Sequence, residues 1–136
     1  MLEAPIKSIA YEPYTNSIFY SIPKEKMIFR KYLQANISNQ DDLILPVAPF
    51  YNGKAMDLEV DSFNSRLCWL QSIDLRSIVC SDLNGENAAV VFTPEKHSEK
   101  IAGFAIDSLT NSLFVMSTVR YIFLLLSQFF IVLFTP

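Results

Sequence analysis

The chain has 136 residues, of which 51% are hydrophobic and 18% are charged, and its formal net charge is −3. This composition is too apolar for a disordered protein, and its mild acidity argues against a nucleic-acid-binding surface. Two cysteines and one histidine are too few for a protein built on disulfides, or for a zinc site without carboxylate ligands. The composition is therefore that of a globular, mostly β protein with little material for catalysis.

An internal repeat organises the first 118 residues. Three segments align without gaps, and each has an apolar strand, an acidic residue, a polar turn and a second apolar strand. The acidic residues stand 49 and 46 residues apart, at Glu12, Asp61 and Asp107. Periods of this length with several short strands per unit are typical of β-propeller blades.

The first unit covers about residues 5–50 and the second about residues 51–98. Four strands are predicted in the first unit, at Lys7–Tyr11, Ser17–Ile22, Met27–Tyr32 and Leu43–Val47. Four more are predicted in the second unit, at Ala55–Val60, Arg66–Leu70, Ser77–Asp82 and Ala88–Phe92. The third unit, from about residue 99 to 118, has two clear strands, at Ile101–Ile106 and Ser112–Ser117. The prediction is an all-β chain with about two and a half four-stranded antiparallel blades.

The turn between the first two strands of each unit has a defined chemistry. The acidic residue can accept hydrogen bonds from the backbone N–H groups of the turn, and Asn16 and Asn111 tolerate a left-handed backbone. In the second unit the asparagine, Asn64, comes one place earlier. We therefore expect a different turn type there.

In the second unit a strand ends at Val60-Asp61, Trp69 follows in the next strand, and a later strand ends in the run Asp82-Leu83-Asn84-Gly85. These places resemble the class B (YWTD) repeat of low-density-lipoprotein receptors, although Cys68 replaces the tyrosine and Leu70-Gln71 replace Thr-Asp. The first and third units resemble the same pattern at residues 18–21 and 113–116. The pattern is similar to divergent members of the family, such as propellers of sevenless-type receptor kinases and receptor-related proteins.

This resemblance implies part of a six-bladed propeller from an extracellular region. Such propellers bind protein ligands or neighbouring receptor modules and carry no catalysis. Three units do not close a six-bladed ring, so unpaired edges would remain for another chain to cover. The N-terminal residues lack the basic and apolar regions of a signal peptide.

Few residues are candidates for a functional site. Cys68 and Cys80 flank a predicted hairpin, and either a disulfide or a pair of buried thiols fits them. Asn36 begins an N-glycosylation motif, which matters only in a secreted chain. Phe50 and Tyr51 are loop aromatics suited to contacting a protein partner. We assign no catalytic residue, metal ligand or cofactor.

Recurring aromatic side chains are expected to pack between blades. They occupy equivalent strand positions in the three units, at Phe19, Tyr20, Trp69 and Phe114. The single histidine, His97, lies in a charged link and is expected to be a solvated loop residue.

An apolar tail follows the third unit, at residues 119–136. The run from Tyr121 to Phe134 has 14 residues without a charge, whereas a membrane span needs about 20. It fits a short membrane anchor, the last strands of the third unit, or translated non-coding sequence after a missed splice site. Of these, we favour read-through over the anchor. The strand alternative is disfavoured because the run lacks the alternation of polar and apolar residues that is expected of an outer strand.

The sequence thus supports a non-enzymatic protein-interaction module from the extracellular propeller of a cell-surface receptor. Two alternatives remain open. One is part of a propeller hydrolase or lactonase, which would need converging carboxylates and a metal. The other is a small membrane-anchored protein, attached through the tail.

Overall fold

The structure is a computed structural model, and it describes residues 4–33, 44–49, 55–71, 76–126 and 133–134. These residues form strands, turns and one 3-10 turn at Pro23–Glu25. Among them no helix has the length and apolar character needed to cross a membrane.

Twelve strands form three four-stranded antiparallel sheets, here called blades 1, 2 and 3. Blade 1 contains β1 (Ser8–Glu12), β2 (Ser17–Ile22), β3 (Met27–Tyr32) and β4 (Ile44–Pro49). Blade 2 contains β5 (Met56–Asp61), β6 (Arg66–Gln71), β7 (Ser77–Asp82) and β8 (Ala89–Phe92). Blade 3 contains β9 (Ile101–Asp107), β10 (Ser112–Ser117), β11 (Tyr121–Leu125) and β12 (Leu133–Phe134).

The strands of each blade pair in chain order, and the blades stack face to face. The first strands β1, β5 and β9 are neighbours across the blade boundaries, so they line the inner side of the stack. This arrangement is a partial β-propeller, as the repeat predicts. The predicted strands agree with the observed ones to within one or two residues.

Both faces of β6 and β7 in blade 2 are buried because their side chains alternate between the two neighbouring blades. Leu67, Trp69 and Val79 pack against Phe19 and Ile28 of blade 1. On the opposite face, Cys68, Leu70, Ile78 and Cys80 pack against blade 3, where they meet Leu113, Val115, Ile122 and Leu124. The hydrophobic core therefore consists of two layers, one at each blade boundary.

Blade 3 has four strands, where the repeat predicted two. Part of the apolar tail forms β11, which pairs with β10 from Met116–Tyr121 to Ser112–Leu125. The burial of β11 alternates, with Ile122 and Leu124 packed against blade 2, although its residues are apolar on both faces. These residues therefore match the alternative in which the tail forms the last strands of the third unit. The read-through hypothesis concerns the transcript and stays a prediction.

A glycine allows blades 1 and 2 to approach each other at the turn after β7. Gly85 has a φ of 85°, in the region that favours glycine. A Cβ atom there would lie 1.7 Å from the carbonyl oxygen of Val47 in β4. Gly85 is thus needed both for its backbone conformation and for this contact.

Cys68 and Cys80 stand directly opposite each other in the β6–β7 register and form a disulfide. Their Cα atoms are 4.1 Å apart, and 12 positions separate them in the chain. The bond lies on the face of blade 2 that packs against blade 3, where Cys68 is fully buried and Cys80 nearly so.

We expect the variant Cys68→Ala/Cys80→Ala to lose about 2–3 kcal/mol of unfolding free energy, because a cross-link of this loop length restricts the unfolded chain by that amount. Urea unfolding of the oxidised protein and the variant measures the difference, and thiol alkylation with mass spectrometry gives the redox state. In the variant, dithiothreitol should have no effect. Equal stability of the oxidised and reduced wild type would contradict the prediction.

Candidate protein-binding site

Three equivalent turns lie side by side at one end of the inner strands. They join β1 to β2, β5 to β6 and β9 to β10, and comprise residues 13–16, 62–65 and 108–111. We call them the turn row. Each follows an acidic residue that ends the inner strand, at Glu12, Asp61 or Asp107.

The Glu12 carboxylate accepts hydrogen bonds from the backbone of the first turn. Its two carboxylate oxygens accept the backbone N–H groups of Tyr14 at 2.9 Å and Thr15 at 2.8 Å, and the Thr15 hydroxyl also donates to it. Glu12 is 1% exposed, and the guanidinium of Arg30 lies 4.0 Å away. Arg30 in turn donates to Ser17 and Thr15, which completes the network beneath the turn.

Asp61 does the same for the second turn. It accepts the Asn64 backbone N–H at 3.2 Å and the Asn64 side-chain amide at 2.8 Å. The guanidinium of Arg66 lies 2.5 Å from its Oδ2 atom, and Asp61 is fully buried. The third turn is more open: Asp107 accepts the Leu109 backbone N–H at 3.1 Å and the Thr110 hydroxyl at 2.8 Å.

The residue before the second strand has a left-handed backbone in all three turns. It is Asn16 with φ 49°, Ser65 with φ 52° and Asn111 with φ 54°. The expectation of a different turn in the second unit was therefore wrong. Ser65 takes the left-handed position there, and Asn64 uses its side chain to bind Asp61 instead.

Polar contacts also connect each turn to the next. The Ser62 side chain of blade 2 lies close enough to Glu12 of blade 1 to lower its pKa, and the equivalent Ser108 of blade 3 lowers the pKa of Asp61 in the same way. Asn64 donates to the Ser108 carbonyl at 3.1 Å, and Arg66 to the Asn111 side-chain oxygen at 2.5 Å. The turn row is therefore one connected surface.

These contacts lower the pKa values of the acidic residues. Burial alone raises the pKa of Glu12 and of Asp61, but the hydrogen bonds from Thr15 and Tyr14 outweigh it for Glu12, and those from Arg66 and Asn64 outweigh it for Asp61. The hydroxyl of Thr110 lowers the pKa of Asp107.

The pKa values of two carboxyls outside the turn row are also shifted. Glu99 precedes β9, is 2% exposed, and accepts hydrogen bonds from Arg120 at 2.8 Å and Ser117 at 2.7 Å, which lower its pKa. Glu59 shifts the other way: burial and the nearby charge of Asp57 raise its pKa.

We expect the unfolding free energy to fall as the pH drops from about 5 to below 4. A carboxyl whose pKa is lower in the folded state stabilises the fold above its ordinary pKa of 4.5 for Glu or 3.8 for Asp, and this stabilisation is lost on protonation. The four carboxyls with lowered pKa values are Glu12, Asp61, Glu99 and Asp107. The raised pKa of Glu59 has the opposite effect on the pH dependence of stability. Urea unfolding at a series of pH values tests this; stability that is flat or rising on acidification would contradict it.

The tip of each turn is an exposed apolar side chain at the same repeat position. Tyr14 is 77% exposed, Phe63 66% and Leu109 85%. These three residues were not predicted from the sequence, although the gapless alignment places an apolar residue two positions after the acidic one in every unit. Apolar side chains held on hydrogen-bonded turns suit contact with another protein.

The other candidate residues lie elsewhere. Asn36, Phe50 and Tyr51 fall outside the described residues. Phe19 and Trp69 are buried between blades 1 and 2, as expected. Tyr20 is buried on the outer face of blade 1, where it stacks on Phe29, and Phe114 is 47% exposed, so the expectation of packing between blades was wrong for these two residues. The exposure of Phe114 follows from its place on the outer face of blade 3.

His97 lies in the link between β8 and β9 and is tied to a buried arginine. Arg76 is 7% exposed, lies 3.2 Å from His97 Nδ1, and donates to the carbonyl oxygens of Pro94, Lys96 and Glu99. This network fixes the path of the link. Among the described residues, no group of three His, Cys, Asp or Glu side chains could hold a metal ion.

The fold is part of a β-propeller, and the turn row carries three exposed apolar side chains at one end of it. No family model matches the chain, and a search of curated proteins found no match. Solved structures do match. The chain is similar to a chain of a nidogen/laminin complex, with a TM-score of 0.70 and 12% identity over 96% of this chain and 48% of that chain.

A second similar structure is a proposed 6-phosphogluconolactonase from Bacteroides uniformis, with a TM-score of 0.65 and 8% identity. The match covers 96% of this chain and 39% of that chain. The present chain therefore spans less than half of the length of either solved chain. At these identities the similarity shows the fold alone.

Proposed function

We propose that the chain is a non-enzymatic protein-interaction module, part of the extracellular ligand-binding propeller of a cell-surface receptor, and that the turn row contacts the protein ligand. The observation that carries this proposal is the exposure of Tyr14, Phe63 and Leu109 at one repeat position in three adjacent blades. Side chains that serve only to fill a core would be buried at that position.

The turns beneath these side chains support a binding role. Their backbone is hydrogen-bonded to buried carboxylates and to the neighbouring turn. Ordering a loop on binding costs free energy, and a surface that is already ordered avoids this cost. Three apolar tips surrounded by polar turn residues match the apolar centre and polar rim of protein–protein interfaces.

The receptor part of the proposal has separate support. Trp69 and the turn Asp82-Leu83-Asn84-Gly85 resemble the YWTD repeat, and Gly85 has the left-handed backbone that makes glycine suitable at that position. The similar nidogen chain comes from a complex with laminin, a protein partner. The disulfide favours an oxidising compartment such as the extracellular space.

Selection of displayed peptides tests the turn row directly. Peptides that bind the wild-type chain are selected, and their affinity is then measured for the variant Tyr14→Ser/Phe63→Ser/Leu109→Ser. We expect binding to weaken at least about 30-fold, since apolar residues at the centre of an interface dominate its affinity.

A matched control replaces exposed apolar residues elsewhere. The variant Val90→Ser/Val119→Ser changes side chains that are 60% and 70% exposed and lie outside the turn row. It should bind the peptides as the wild type does. If the control loses binding and the turn-row variant keeps it, the turn row is not the contact surface.

A propeller lactonase is the alternative, and the similarity to the proposed 6-phosphogluconolactonase favours it as a second candidate. The two functions differ in an assay of the wild-type chain with lactone and ester substrates, with and without divalent metals. Turnover above that of heat-denatured protein would replace the binding function by the enzymatic one.

A further inference from the structure

The outer face of blade 3 is an open apolar surface. Phe114 is 47% exposed, Met116 46% and Tyr121 68%, and beside them Gly103 and Ala105 leave a shallow apolar hollow of about 320 Å³. Aligned pairs of β9, β10 and β11 put Ala105, Phe114 and Phe123 on one row across this face. We call it the leading face.

The internal repeat shows which surface packs against the equivalent face in blades 1 and 2. The residues equivalent to Phe114 are Phe19 in blade 1 and Cys68 in blade 2, and both are fully buried. Phe19 is covered by blade 2 and Cys68 by blade 3. Within this chain, the leading face of one blade is therefore always covered by the opposite face of the next blade.

Blade 1 has that opposite face open. Ile9 is 59% exposed and Tyr11 55%, and they lie on the same face as the stacked rings of Tyr20 and Phe29. The residue equivalent to Ile9 in blade 2 is Leu58, which is 5% exposed because it packs against blade 1. We call this outer face of blade 1 the trailing face.

We propose that two copies of this chain associate head to tail, with the leading face of each copy covered by the trailing face of the other. The two faces carry the repeat positions that already pack together at both internal boundaries, so the new junction continues the same stacking.

The proposed dimer has a twofold axis. A head-to-tail interface either closes into a ring or grows into a filament, and it closes when the rotation per copy fits a whole number of copies. Two three-bladed copies related by a twofold axis give a closed ring of six blades with two identical junctions. In the part of the chain that the structure describes, neither the leading face nor the trailing face is then left open.

One contact of the internal boundaries is missing at this junction. Ser62 and Ser108 each lie close enough to the acidic residue of the preceding blade to lower its pKa, and the equivalent residue of blade 1 is Pro13. Asp107 therefore gains no such polar contact, but it already accepts Leu109 N–H and the Thr110 hydroxyl and is more exposed than Glu12 or Asp61. The junction depends on apolar contact.

Sedimentation of the purified chain over a micromolar concentration range tests the proposal, without any ligand, so its outcome is separate from that of the peptide experiment. We expect a dimer. Phe114→Glu on the leading face and Ile9→Lys on the trailing face should each raise the dimer dissociation constant at least about 30-fold. Val90→Glu, on the outermost strand of blade 2, should leave it unchanged.

Mixing the two variants gives the decisive measurement. In a mixed dimer one junction is wild type and the other joins the two introduced charges of opposite sign, so the mixture should form dimers that neither variant forms alone. Circular dichroism establishes that each variant is folded, and Tyr121→Glu replaces Phe114→Glu if the latter is not. A monomeric wild type, an open filament, or a dimer broken by Phe114→Glu but not by Ile9→Lys would overturn the proposal.

Discussion

Replacement of Trp69 by alanine is expected to lower the unfolding free energy by about 3–5 kcal/mol, the range found for large aromatic side chains removed from a core. Trp69 is 1% exposed and lies at the boundary between blades 1 and 2. Its indole N–H also donates to the Gln71 side chain at 2.7 Å. The substitution removes both the packing between the blades and this hydrogen bond.

Urea unfolding followed by circular dichroism measures the loss, because the variant has no tryptophan for fluorescence. Tyr14→Ala serves as the matched control, since it also removes an aromatic ring but from a side chain that is 77% exposed. Its stability should stay within about 0.5 kcal/mol of the wild type. If the two variants lose equal stability, Trp69 does not hold the blades together.

Asp61→Ala should lower the unfolding free energy by about 3 kcal/mol, because it leaves polar groups inside the turn without their charged partner. Asp61 is fully buried and accepts hydrogen bonds from Asn64 and Arg66. With the carboxylate gone, the Arg66 guanidinium keeps only the Asn111 oxygen among its contacts at this boundary. Chemical unfolding at pH 7 measures the loss.

Asp107→Ala is the matched control, because Asp107 has the same repeat position and the same turn but is more exposed and lacks an arginine partner in the described residues. It should cost much less than Asp61→Ala. Asp61→Asn should fall between them, since its amide oxygen can still accept the Asn64 N–H. Equal losses at positions 61 and 107 would mean that burial and the ion pair add nothing.

Most of the fold could be predicted from the sequence because its signals are local. Strands such as Ser17–Ile22 and Ser77–Asp82 are short apolar runs bounded by turn residues, and their limits were predicted correctly. The repeated acidic residue with an apolar residue on each side identified the equivalent turns. The period then gave the blade architecture.

The last strands of blade 3 could not be predicted in the same way. Residues in β11 are apolar on both faces, so hydrophobic periodicity does not distinguish a strand from another apolar segment. What places β11 is its pairing with β10 and the burial of Ile122 and Leu124 against blade 2. These are contacts between distant residues.

The candidate site was predicted only in part. The acidic residues were expected to accept the turn N–H groups, and the structure confirms this at Glu12, Asp61 and Asp107. The exposed tips were missed because an apolar residue in a turn gives no sequence signal of its exposure. Phe114 was expected to be buried because it shares a strand position with other aromatic residues. The structure shows that this repeat position is buried in blades 1 and 2, where the next blade covers it, but exposed in blade 3.

The Cys68–Cys80 bond has a mechanical consequence for the chain. Under tension applied to the two ends of the chain, a disulfide carries the force past the residues between its cysteines. The 12 positions between them, which would otherwise extend by about 40 Å, cannot lengthen while the bond is oxidised. Reduction would therefore make the pulled chain longer at its middle blade, so the redox state sets how far the chain can stretch.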